Sequence, residues 1–105
     1  MTKYKFSGQL YDLISRAENG DPDDIDFIMQ NLNSESTFAM TRYVDFSLGL
    51  VTCDKGVCRI EHYLFNGSQI QRNYASLFFN RRGDWEIVKK AFHQGLIDET
   101  QAFAR

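Results

Sequence analysis

Five carboxylates, those of Glu18, Asp21, Asp23, Asp24 and Asp26, stand within nine residues with no base among them. One or two acids at a helix start are ordinary, because an Asp side chain accepts from the unpaired N–H groups there and negative charge complements the positive end of the helix. A surplus repels itself and costs stability unless a cationic partner relieves it. Calcium does not suit the run, since the spacing of a calcium-binding loop is missing. The chemistry expected of these five residues is electrostatic docking of a cationic surface.

Arg72, Arg81, Arg82, Lys89 and Lys90 form an opposing basic set. Such a set can hold phosphates, which fixes position on a nucleic acid without reading its sequence. An acidic pI near 5.6 weighs against that use, as does the missing small-residue turn of a DNA-reading helix pair. Catalytic signatures are scarce. The chain holds no glycine-rich phosphate loop, no nucleophile elbow and no paired-histidine metal motif. An enzymatic reading would have to place a site near His62, Arg42 and Glu61. Glu61 and His62 are adjacent, however, and on a strand they would point to opposite faces, leaving His62 as a partly buried core histidine. His93 falls near a helix end, where a cation is favoured. The two cysteines, Cys53 and Cys58, are too few for a disulfide framework or a metal site. No metal and no cofactor are expected.

The elements that must position these groups follow from apolar spacing. Between Ser68 and Gly95, Ile70, Tyr74, Leu77 and Phe78 form one helical stripe, and Trp85, Val88 and Phe92 form a second that matches it. Asp84 caps the second helix, Gly83 frees the turn, and Gly95 ends the pair, so two antiparallel helices fold across Arg81-Arg82-Gly83. An N-terminal pair mirrors them. Ser7 is placed to cap a helix carrying Leu10, Leu13, Ile14 and Ala17, and Asp21-Pro22 restarts the chain into Ile25, Ile28, Met29 and Leu32. From Thr37 the period changes to two: Phe38, Met40, Val44, Phe46, Leu48 and Leu50 alternate with polar positions, interrupted by Arg42. A return strand from Val57 to Phe65 follows the turn Asp54-Lys55-Gly56, with Leu50 opposite Ile60, Leu48 opposite His62 and Phe46 opposite Leu64. That register sets Cys53 and Cys58 on opposite sides of the ribbon, as free thiols. After Gly95, Asp98 to Gln101 resembles a capping box and starts a last short helix.

The fold class expected is therefore α+β: a small antiparallel β-sheet, a hairpin or a three-stranded meander, flanked by N-terminal and C-terminal helical hairpins. With 105 residues, 43% of them hydrophobic, a single domain spanning 1–105 is expected, and a chain of this size buries roughly two thirds of its unfolded surface. No apolar run nears the roughly 18 residues that span a bilayer, and MTKYKFSGQL lacks a signal-peptide core, so the setting expected is the cytoplasm. Charge is uneven: residues 1–52 hold eight acidic and four basic side chains, residues 53–105 six and eight. Small size, an acidic run and no catalytic motif predict a protein-binding module that neutralises its partner by occlusion, as bacterial immunity proteins and antitoxins do, with the acidic face against a cationic toxin or nuclease. The alternative is a nucleic-acid-associated regulator working through the basic C-terminal helical pair.

Overall fold

In a computed structural model describing residues 8–104, every regular element is an α-helix. In order they are α1 (Gly8–Asn19), α2 (Pro22–Met29), α3 (Phe38–Leu48), α4 (Asp54–Asn66), α5 (Gln69–Arg82), α6 (Trp85–His93) and α7 (Glu99–Phe103). The expected sheet is absent from the described residues, and both of its strands are helices. The α+β class is thus corrected to all-α. Ser7, the cap expected for the first helix, lies outside the described residues.

The physical reason for the correction lies in which residues the central segment buries. Val44, Ser47, Leu48 and Val51 are inside, at i, i+3, i+4 and i+7, while Phe38 and Phe46 of the alternating set face outward. Thr37 starts α3 by accepting the Met40 N–H on its Oγ1 at 3.0 Å. In α4 the buried positions are Gly56, Ile60 and Leu64, one turn apart along a single face. Asp54-Lys55-Gly56 is consequently the first turn of a helix rather than a hairpin loop. Gly56 is required by close approach: a Cβ there would stand 2.6 Å from Val51 Cγ1 and 2.8 Å from the Gly20 carbonyl oxygen.

The two helical pairs form where capping chemistry and apolar stripes agree. Pro22 occupies the first turn of α2 behind Asp21. Ser68 and Gln71 exchange side-chain and backbone hydrogen bonds at the start of α5, and Gln71 Nε2 also donates to the Met29 carbonyl at 3.0 Å, closing the end of α2. Gly83, in the left-handed region at φ 82°, stops α5. Asp98 and Gln101 cap α7 reciprocally. One cluster of buried apolar side chains draws on all seven helices, from Leu13 in α1 to Ala102 in α7. Within it, α1 packs on α2 and α3, α2 on α4, and α5 on α4, α6 and α7.

Candidate functional site

The acidic run divides once it is folded. Asp24 is buried, 6% exposed. It accepts from Arg16 Nη1 at 3.2 Å, from the Asp21 N–H at 3.1 Å and from Asn19 Nδ2. The Asn19 hydrogen bond, helped by Arg16 and the Asp21 N–H, holds its carboxyl below the usual range against the burial that would raise it. Asp26 ties α2 to α4, accepting from Arg59 Nε at 2.7 Å, Arg59 Nη2 at 3.2 Å and the Tyr63 hydroxyl at 2.7 Å. Arg59 chiefly, with Tyr63, lowers the Asp26 pKa. Burial, then the same carboxylate, pushes Tyr63 up to about 12. Both acids are parts of the fold's own bonding. Glu18, Asp21 and Asp23 remain exposed at the α1–α2 corner. The start of α4 abuts the same corner, where Cys53 Sγ donates to the Gly20 carbonyl at 3.2 Å, so the first turns of two helices lie there with Asp23 and Asp54 on them. The positive ends of α2 and α4 offset part of the repulsion that looked unrelieved in the sequence, most directly for Asp23, while Glu18 stands on the last turn of α1 at a negative helix end.

The basic set is dispersed. Arg72 donates to the Leu96 and Gly67 carbonyls, each at 2.7 Å, and to Gln69 Oε1 at 2.9 Å, which fastens the α6–α7 loop to the head of α5. Arg81 grips Asp45 of α3 through both carboxylate oxygens, at 2.8 and 2.9 Å, and Arg82 pairs with Asp84 at 2.9 Å. Lys89 lies 3.9 Å from Glu86, and Lys90 stands over the Phe65 ring. His62, expected as a partly buried core residue, is exposed on α4 beside Asn66 and Tyr63. It does not meet Arg42: Arg42 lines a groove by α3, whereas Glu61 lines a cleft under Trp85. Cys53 and Cys58 are free thiols, but near the start of one helix rather than on two faces of a ribbon.

The surface that the spacing argument missed is aromatic. Leu10 of α1 faces Phe38, Ala39, Arg42, Tyr43 and Phe46 of α3 across a groove of about 420 Å³. Phe38 is 77% exposed and Phe46 46% exposed, and the neighbouring Tyr11 is exposed as well. The signal was present in the sequence: positions 38, 42 and 46 are one helical turn apart, and Arg42, which spoils a strand, sits in line on a helix. Trp85, expected inside the C-terminal pair, is 52% exposed above a second cleft lined by Val57, Phe79 and Ile87 together with Glu61, Asp84 and Glu86. Its indole therefore does not close the α5–α6 core; Val88 and Ala91 do.

Among the described residues no group of three His, Cys, Asp or Glu side chains is arranged to hold a metal ion, and no helix is long and apolar enough to cross a membrane. Comparison with protein-family models, with curated proteins and with solved structures yields no match to this chain.

Proposed function

We propose that this chain is a protein-binding module that neutralises its partner by occlusion, in the manner of bacterial immunity proteins and antitoxins, and that the α1–α3 face is its docking surface. The observation that carries the reading is Phe38, 77% exposed at the head of a groove whose other walls are Leu10, Ala39, Tyr43 and Phe46. Covering such a face recovers roughly 25 cal/mol for each Å² of apolar surface removed from water. Phenylalanine, tyrosine and arginine are also residue types favoured at interface centres. Glu18, Asp21 and Asp23 keep a part, as exposed charges that attract a cationic toxin or nuclease to the molecule. The nucleic-acid alternative has less support, because Arg72, Arg81 and Arg82 already serve acceptors within the chain. A cytoplasmic setting belongs to the same reading.

The test is affinity capture from the source cell with the wild-type chain, Phe38→Ser and the double variant Glu18→Gln with Asp23→Asn, followed by kinetics on the recovered protein. Phe38→Ser should weaken binding at least about ten-fold, mainly through faster dissociation. The acidic double variant should slow association, and the effect should vanish at high salt. Wild-type affinity in Phe38→Ser would remove the aromatic face from the proposal.

A further inference from the structure

We infer that the α1–α3 groove accepts an amphipathic helix of the partner, and that a carboxylate on that helix pairs with Arg42. This rests on the docking reading above and adds the chemistry of the occupant.

Shape is the first ground. The α3 wall is a continuous stripe of Phe38, Ala39, Arg42, Tyr43 and Phe46, spaced i, i+1, i+4, i+5 and i+8. That stripe covers two turns, about 12 Å of helix. Leu10 lines the groove from α1, so the site lies between two packed helices and is lined mostly by apolar side chains. An amphipathic helix fills such a groove with residues at i, i+3, i+4 and i+7.

Charge is the second ground, and it is independent of shape. Every other described arginine has an acceptor within the chain: Arg16 has Asp24, Arg59 has Asp26, Arg81 has Asp45 and Arg82 has Asp84. Arg72 has the Leu96 and Gly67 carbonyls. Arg42 makes no ion pair or hydrogen bond among the described residues. Its guanidinium lies 5.7 Å from the centre of the Phe38 ring, held over the groove's own aromatic wall. A guanidinium so placed presents a planar fork to whatever enters, and a carboxylate answers it with two parallel hydrogen bonds that strengthen as water is displaced. A lysine or arginine at the same point of the incoming helix would meet like charge.

Two synthetic helical peptides test this. They share one Leu/Phe stripe and differ at the flanking positions, Glu in one and Lys in the other. Binding to the full chain is read by fluorescence anisotropy, with helical content of each protein variant checked by circular dichroism. The Glu peptide should bind the wild type at least about ten-fold more tightly than the Lys peptide. The preference should reverse on Arg42→Glu, and Ala39→Trp, which fills the groove, should abolish both. If both peptides bind equally and Arg42→Glu changes neither, the groove docks a helix but the carboxylate assignment is wrong. If neither binds, the docking reading itself fails. A wild-type dimer in sedimentation that Phe38→Ser dissolves would assign the groove to a second copy. Peptide binding that appears only after Tyr4→Ala with Phe6→Ala would assign it to the chain's own first residues. Either result overturns the inference.

Discussion

Asp26 shows how one carboxylate can look like surface charge in a sequence and act as a bolt in a fold. Its pair with Arg59 and Tyr63 joins α2 to α4, yet the ionic partners keep 35% and 38% of their side-chain surface exposed, so solvent screens them. Asp26→Asn should therefore cost only about 1 kcal/mol in a urea melt at neutral pH. The pH dependence carries a sign. Asp24 and Asp26 have folded pKa values below the unfolded ones, so their stabilisation is complete above about pH 4 and is lost as pH falls through the depressed folded values. Tyr63 runs the other way: its raised pKa means a contribution complete below about pH 10 and lost as pH climbs through about 12. Melts of wild type and Tyr63→Phe across the alkaline range should converge there, and parallel curves would refute the coupling. Trp85 carries the second prediction at this scale. Half-exposed, it should cost no more than about 1–2 kcal/mol on truncation to alanine, well under the 3–5 kcal/mol of a packed indole. Its fluorescence, the only tryptophan emission in the chain, should be that of a partly hydrated ring.

At the scale of elements, the ends of the chain were legible and the middle was not. The α1–α2 and α5–α6 pairs announce themselves through Asp21-Pro22, Gly83 and Gly95, residues whose backbone chemistry permits few alternatives. Between Thr37 and Phe65 two periods compete. Phe38, Met40, Val44, Phe46, Leu48 and Leu50 satisfy a period of two, but Val44, Ser47, Leu48 and Val51 satisfy 3.6, and only tertiary burial chooses between them. Ser47 concealed the helical set because its hydroxyl is buried against the Tyr43 carbonyl, a donor satisfied inside its own helix. The same misreading hid the aromatic face, since a strand places Phe38 and Phe46 in the core. Gly56 offers a sharp test of the helical assignment. Alanine at an ordinary helix-interior glycine gains about 1 kcal/mol. Here a Cβ would strike Val51 and the Gly20 carbonyl, so Gly56→Ala should instead destabilise by about 1–3 kcal/mol. In a hairpin loop, with glycine left-handed, the loss would come from φ; here Gly56 is helical, so restoring room by Val51→Ala should recover part of it in a double-mutant cycle.

For the whole molecule, the question is whether charge that is uneven along the chain remains uneven in space. Residues 1–52 carry the acidic excess and residues 53–105 the basic one, but Asp26–Arg59 and Asp45–Arg81 pair across that division. Folding thus cancels part of the polarity and leaves Glu18, Asp21 and Asp23 as the exposed remainder of the run. The acids that bind outward and those that bind inward can be separated by experiment. Glu18→Gln with Asp23→Asn removes charges that make no ion pair among the described residues, and its urea midpoint should imply a change within about 0.5 kcal/mol. Asp24→Asn with Asp26→Asn removes the same formal charge from the same segment but disturbs the hydrogen bonds of the buried Asp24 with Asn19 and Arg16 and those of Asp26 with Arg59 and Tyr63 together. It should cost about 1–3 kcal/mol, most of it from Asp24, because its carboxylate accepts from the exposed Arg16, from Asn19 and from the Asp21 N–H, and an Asn amide puts a donor in place of one of those acceptor oxygens. Equal losses in the two double variants would mean the run acts as one diffuse field. Unequal losses in the stated order would make Asp24 and Asp26 unsuitable for any docking experiment, because a fall in binding after their replacement would report unfolding rather than contact.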